Sequence, residues 1–159
     1  YAEVNGVKLA YYTRGSGKPL LMINGFLSSM SLWDPVLLES LEKTHTLILF
    51  DNRGVGLSTD TAENKTTIPQ MADDAAALIG ALGLDKPDVL AWSMGARIGQ
   101  QLLIRHPGAV GKAVNIEKIF RDINANGRRI HLFRASACHS GQKPEYPSRP
   151  KEKTRAIKL

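Results

Sequence analysis

Residues 89–95 of this 159-residue chain read Val-Leu-Ala-Trp-Ser-Met-Gly and join an apolar run to a segment with helical periodicity. The run ends at Trp92 and is typical of a strand buried on both faces, whereas residues 94–105 have the pattern of an amphipathic helix. Ser93 therefore stands in a strand-to-helix turn. Such a tight turn needs small residues two positions to either side of its centre, and Ala91 and Gly95 meet that need.

The same patterns extend to both sides of this turn. Further buried strands are predicted over residues 19–23, 46–50 and 112–116, and helices over 32–41, with Ser31 as N-cap, and 68–82, with Thr67 as N-cap. Within residues 2–12, Asn5-Gly6 predicts an antiparallel hairpin, because a type I′ turn needs two positive φ angles. Strands that alternate with helices at short distances predict an α/β fold with a mostly parallel sheet and helices on both faces.

The segment around Ser93 resembles the nucleophile elbow of the α/β-hydrolases. Three more family segments occur in the expected order: Asn24-Gly25-Phe26, where the family usually has His-Gly, then Asp51 to Ser58, which matches Asp-x-Arg-Gly-x-Gly-x-Ser, then Arg105-His106-Pro107. The chain is identified as a member of this superfamily, with a serine nucleophile, over about residues 2–117. The resemblance implies an incomplete α/β-hydrolase fold, its N-terminal part, with a hairpin followed by a mostly parallel sheet and flanking helices.

The resemblance also implies roles for individual residues. Ser93 attacks an acyl carbonyl, and the backbone N–H groups of Phe26 and Met94 hold the oxyanion that forms. Glu117 ends the fourth buried strand and is a candidate catalytic acid, although a solvated residue at a strand end fits it equally well.

The Asp51–Ser58 segment has a mainly structural role in the family, which makes Asp51 and Arg53 organisers of their loop. His106 is expected to be a helix-end residue without a part in the chemistry.

The general base has no strong candidate in the sequence. In this family it is a histidine that follows both the serine and the acid in chain order. His131 and His139 follow Ser93 but lie in sequence that does not resemble the family, and His45 precedes a strand at the far end of the sheet. Two functions therefore stay open: a serine hydrolase, or a fragment of one, and a catalytically inactive, truncated homologue that acts as an interaction protein.

The charge composition of the chain changes near residue 117. Residues 1–117 hold 10 Lys+Arg and 12 Asp+Glu, whereas residues 118–159 hold 11 Lys+Arg and 3 Asp+Glu. The composition predicts a partial hydrolase domain over 1–117 and a basic, Pro-containing, poorly ordered tail over 118–159, in which residues 119–133 form one helix or one strand. The abrupt shift favours a chain that is truncated or frame-disrupted after about residue 117.

Expectations about ligands, partners and location follow from the same features. The expected substrates are small esters, thioesters or related acyl compounds. We expect no cofactor, no metal, no nucleic acid and no membrane, since metal-ligand spacing, a nucleic-acid fold and a long apolar run are lacking. A single cysteine, Cys138, and the lack of a secretory leader favour the cytoplasm. An open sheet edge beside the fourth strand predicts dimerisation there.

Overall fold

The computed structural model describes residues 1–62, 66–123 and 129–139, with side-chain surroundings for residues 1–62 and 66–116. In chain order its strands and α-helices are β1 (Ala2–Val4), β2 (Val7–Leu9), β3 (Tyr11–Arg14), β4 (Lys18–Ile23), α1 (Pro35–Leu41), β5 (His45–Phe50), α2 (Ile68–Ala81), β6 (Asp88–Trp92), α3 (Met94–Arg105), β7 (Lys112–Ile123) and β8 (Arg129–His139). None of the helices in these ranges is long and apolar enough to cross a membrane.

The chain begins with the predicted hairpin. Strands β1 and β2 pair antiparallel, and the turn between them has φ angles of 48° at Asn5 and 77° at Gly6. Two successive positive φ angles define the type I′ turn, so the Asn-Gly signal is confirmed.

A six-stranded sheet forms the centre of the molecule, in the order β3-β5-β4-β6-β7-β8. Strands β5, β4, β6 and β7 run parallel, while β3 and β8 pair antiparallel at the two edges. Helices α2 and α3 cover one face of the sheet together with the β1–β2 hairpin. The other face is covered by Leu38 of α1 and by Trp33, which precedes that helix. The mostly parallel sheet with helices on both faces is therefore confirmed.

Helix α1 begins later than the sequence pattern predicted. Ser31 lies in a short 3-10 turn, Met30–Leu32, and the α-helix starts at Pro35. The Asp34 carboxylate accepts hydrogen bonds from the N–H groups of Val36 (2.8 Å) and Leu37 (3.1 Å). The predicted start at residue 32 was wrong, because an aspartate cap followed by proline at the first helical position is the stronger start signal.

The fourth buried strand is longer than predicted. Strand β7 continues past residue 116 to Ile123, and β8 pairs with it from Lys112↔His139 to Ile123↔Arg129. Residues 119–133 therefore contribute to two strands instead of one element. The edge of β7 that was expected to be open is paired within the chain, so that expectation was wrong, whereas dimerisation stays a prediction. Residues 140–159 of the predicted tail lie outside the described residues.

Candidate active site

Ser93 occupies a strained turn between β6 and α3. Its φ and ψ are 57° and −119°, a conformation that costs a non-glycine residue free energy. Two backbone hydrogen bonds hold the turn: the Ser93 N–H donates to the Ile116 carbonyl (2.8 Å), and the Ala96 N–H donates to the Ser93 carbonyl (3.0 Å). Since Trp92 is the last residue of β6 and Ser93 follows it directly, Ser93 lies at the carboxyl edge of the parallel strands, level with Ile116 of β7.

The small residues around Ser93 are required by close packing. A Cβ added at Gly95 would lie 2.7 Å from the Asn24 carbonyl oxygen and closer still to that of Ile23. Ala91, which stands where glycine is commoner in the family, is fully buried. A Cβ added at Gly99 would lie 3.2 Å from the Cβ of Ala91. The missing side chain at Gly99 therefore makes room for the methyl group of Ala91.

The loop after β4 lies directly against the serine. A Cβ added at Gly25 would be 3.2 Å from Ser93 Cβ, closer than an ordinary van der Waals contact, so glycine lets this backbone approach the serine without a shift. The Ser28 N–H donates to the Gly25 carbonyl (3.3 Å) and closes a turn with Phe26 and Leu27 at its centre. In such a turn the N–H of Phe26 has no partner from the turn itself. Met94 is the first residue of α3, so its N–H has no acceptor within the helix either.

The Asp51 carboxylate joins this loop to the next one. Asp51 Oδ1 accepts from the Met30 N–H (2.6 Å), and Oδ2 accepts from the Leu57 N–H (2.9 Å). The Ser58 hydroxyl donates to the Asp51 carbonyl (2.7 Å). The Met30 contact connects the two loops, and the other two contacts close the loop from Asp51 to Ser58 around a buried side chain, which is the structural role that the family resemblance implied.

Arg53 is tied to a residue that the sequence analysis did not single out. Its guanidinium donates from Nε to Asp74 Oδ2 (2.5 Å) and from Nη2 to Asp74 Oδ1 (2.7 Å), and this partner raises the pKa of Arg53. Asp74 also accepts from Asn5 Nδ2 (2.9 Å). The available signal was an acidic residue on the otherwise apolar face of α2, between Ala72 and Ala75.

His106 belongs to a polar cluster at the far end of α3. Its Nε2 lies 2.7 Å from Asp73 Oδ1, and Arg105 makes two hydrogen bonds to the same carboxylate. Arg105 and, to a smaller extent, His106 lower the pKa of Asp73 to about 2. Because the 12 residues of α3 span about 18 Å, this cluster is remote from Ser93. The helix-end interpretation of His106 agrees with this placement.

The strand register separates the remaining histidines. His45 starts β5 and His139 pairs with Lys112, so both lie at the amino edge of the sheet, opposite to Ser93. His131 pairs with Phe120, four residues beyond Ile116 or about 13 Å along an extended strand, on the Ser93 side.

The candidate acid, Glu117, directly follows Ile116, whose carbonyl accepts from Ser93. The structure thus brings the backbone of Glu117 next to the elbow. Its side chain lies outside the residues whose side-chain surroundings are described.

Apolar side chains stand exposed on the two loops that follow β4 and β5, at the carboxyl edge of the sheet. Phe26, Leu27 and Leu57 expose 70%, 68% and 64% of their surface. The Met30 and Leu57 N–H groups share the Asp51 carboxylate, which keeps the two loops together at the carboxyl edge. These three residues are called the apolar rim below.

Known proteins share this architecture and sequence. A family model for the alpha/beta hydrolase fold matches residues 18–132. RutD of Escherichia coli O44:H18 (strain 042 / EAEC), whose name proposes a carbamate hydrolase activity, is 34% identical over 122 residues, which are 77% of this chain and 44% of RutD.

Two solved structures show the same relationship. Est816, described as an N-acyl homoserine lactone degrading enzyme, is 31% identical with a TM-score of 0.62, covering 69% of this chain and 41% of its own. A hydrolase from Pseudomonas aeruginosa PA01 is 25% identical with a TM-score of 0.66, covering 71% of this chain and 43% of its own.

This chain spans less than half the length of these relatives. The family model nevertheless matches most of it, with the four segments around Ser93, Gly25, Asp51 and Arg105 on the elements that the resemblance implied. The chain belongs to the α/β-hydrolase family.

Proposed function

We propose that this chain is the nucleophile-bearing part of a serine hydrolase that acts on small esters or related acyl compounds. The observation that carries the proposal is the strained conformation of Ser93 at the carboxyl edge, with Gly25 packed against its Cβ. Backbone strain is retained where it positions a functional group, and here it lifts the serine out of the strand–helix junction. The glycine brings a second backbone segment to the same side chain.

The chemistry follows from these positions. Ser93 Oγ attacks the carbonyl carbon, and a new C–O bond forms while the carbonyl π electrons move onto the oxygen. The N–H groups of Phe26 and Met94 donate to this oxyanion, and the positive end of the α3 dipole favours it further. Collapse of the intermediate breaks the bond to the alcohol, which takes up the proton that Ser93 lost, and leaves the acyl group as an ester on Ser93. Water then attacks this ester, its OH bonds to the acyl carbon, and its other proton restores the Ser93 hydroxyl as the acid departs.

The substrate class is supported by two observations. The names of RutD and Est816 refer to a carbamate and an N-acyl homoserine lactone, and both compounds have an acyl carbon bonded to a leaving oxygen or nitrogen. The apolar rim of Phe26, Leu27 and Leu57 supplies a surface at the carboxyl edge, where Ser93 lies, that would contact an apolar acyl group. Small esters with short apolar chains fit both features.

For the base we propose His131, because it lies on the Ser93 side of the sheet while His139 lies at the opposite edge. Glu117 is the proposed acid. His131 is paired with Phe120, which lies about 13 Å along the strand from Ile116. This distance favours a second candidate function, a catalytically inactive homologue that acts as an interaction protein. A serine without a base within hydrogen-bond reach is a poor nucleophile near neutral pH.

Hydrolysis of 4-nitrophenyl acetate by the wild-type chain and by Ser93→Ala tests the proposal. We expect a burst or turnover that disappears in Ser93→Ala. His131→Gln and His139→Gln form a matched pair, and only the first should lower the rate. Equal rates for the wild type and Ser93→Ala, together with no Ser93 labelling by a fluorophosphonate, would reject the enzyme and leave the inactive homologue.

A further inference from the structure

Asn24 uses both polar atoms of its side chain inside the loop that contains Phe26. Its Oδ1 accepts from the Gly25 N–H (2.8 Å), and its Nδ2 donates to the Ser29 carbonyl (2.8 Å). The side chain therefore links the two ends of the loop, with Phe26 between them. Only 5% of Asn24 is exposed, so water competes little for these hydrogen bonds.

The backbone of Asn24 is held in place from two other directions. Its carbonyl oxygen would lie 2.7 Å from a Cβ at Gly95, so the first turn of α3 packs directly on it. Asn52 Nδ2 approaches the same oxygen at 3.4 Å, from the loop after β5. A side chain attached to so fixed a backbone gives the Phe26 loop a rigid anchor.

The turn inside this loop is strained and has little packing to hold it. Leu27 has a φ of 52°, a rare value for a bulky residue, and more than half of its surface is exposed, as is that of Phe26. Since side-chain burial does not hold the turn, hydrogen bonds at the ends of the loop must do so. Those bonds include the two from the Asn24 side chain and the Ser28-to-Gly25 bond, beside the Ser28 hydroxyl's bond to the Phe26 carbonyl (3.3 Å) and the Met30-to-Asp51 bond (2.6 Å).

We infer that Asn24 is a positioning residue, which clamps residues 25–29 so that Leu27 keeps its positive φ and the Phe26 N–H faces Ser93. The orientation towards an oxyanion rests on the proposed function. The clamp itself concerns the conformation of the loop and can be measured separately.

The first experiment measures the clamp without any chemistry at Ser93. Asn24→Asp preserves the size of the side chain and its Oδ1 acceptor, but it removes the N–H donor to the Ser29 carbonyl. A carboxylate oxygen then faces that carbonyl oxygen and repels it. NMR couplings and chemical shifts that report φ should show a positive φ at Leu27 in the wild type and in the control Ser29→Ala, and its loss in Asn24→Asp. A Leu27 φ that stays positive in Asn24→Asp would overturn the inference, even if the wild type and Ser93→Ala react equally.

The second experiment measures the effect on the reaction. Ser93-dependent kcat for 4-nitrophenyl acetate, per folded molecule, should fall about tenfold or more in Asn24→Asp with KM within about twofold, because donors to an oxyanion act on the transition state. Ser29→Ala should match the wild type. An unchanged kcat in Asn24→Asp would overturn the inference, while no reaction in the wild type would count against the proposed function alone.

A third variant separates positioning from loss of folding. Glycine adopts positive φ without steric cost, so Leu27→Gly in the Asn24→Asp background should restore part of the lost kcat. Because kcat is measured per folded molecule, any change in overall stability that the glycine brings does not enter this comparison. If Leu27→Gly restores none of the kcat, Asn24 does not act through this turn and the inference is wrong.

Discussion

Arg53 and Asp74 form an ion pair in which the two side chains expose only 1% and 2% of their surface. The pair joins the loop after β5 to helix α2, and Asn5 brings the β1–β2 hairpin to the same carboxylate. One buried acidic group thus connects three segments that are distant in sequence. Asp73, its neighbour in the chain, makes a comparable pair with Arg105 near the surface, so the two aspartates form a natural comparison.

Asp74→Asn should lower the free energy of unfolding by about 3–5 kcal/mol, because it removes the carboxylate that pairs with the buried Arg53 guanidinium. Asp73→Asn should cost about 1 kcal/mol or less, since its partners are partly solvated. Urea unfolding at pH 7 measures both values. Equal losses in the two variants would show that burial of the pair at Asp74 contributes nothing.

Stability should fall in acid partly through Asp73. Its pKa in the folded protein is about 2, below its usual range near 4, because Arg105 and His106 bind the ionised form. The stabilisation is therefore fully present above about pH 4 and is lost as the pH falls through about 2. Urea unfolding of the wild type and Asp73→Asn at several pH values should show a difference near pH 6 that shrinks towards pH 2. A difference that grows in acid would contradict this sign.

Gly95→Ala should prevent a stable fold or lower the free energy of unfolding by several kcal/mol, because the added methyl meets the backbone carbonyls of Ile23 and Asn24. Gly80 in α2 has no atom within 4 Å of an added Cβ, so Gly80→Ala is the matched control. That control should stabilise the protein by up to about 1 kcal/mol through helix propensity. Circular dichroism during thermal unfolding checks both, and a Gly95→Ala variant as stable as the wild type would refute the close approach.

Ser93→Gly should make the protein more stable by about 1 kcal/mol, since glycine adopts the positive φ of residue 93 with little strain. Ser93→Ala keeps the strain and should change stability by less than about 0.5 kcal/mol. Both variants lose the nucleophile, so a gain in stability seen only with glycine would measure the strain that positions the serine. The prediction fails if Ser93→Gly unfolds at lower urea concentration than Ser93→Ala.

Much of the secondary structure was predictable because its signals are local. The Asn5-Gly6 turn, the Thr67 cap of α2 and the apolar runs of β4, β5 and β6 each depend on a few neighbouring residues, and the structure has them where they were predicted. The start of α1 was misplaced because two cap signals, at Ser31 and Asp34, compete within four residues. Strand β8 has no comparable signal, since its pairing with β7 depends on a register between segments and not on either segment alone.

The sequence by itself determined the order of the elements from β4 to β7 and the position of Ser93 between a buried strand and a helix, since periodicity and small residues decide both locally. Only the tertiary structure decided which distant groups meet: Gly25 against Ser93, Asp74 beside Arg53, and Asn24 spanning its loop beneath α3. The parallel sheet also set the histidines apart, with His139 at one edge and His131 at the other. The physical reason is that contacts between distant segments depend on strand order and register, which the pairing of whole strands determines.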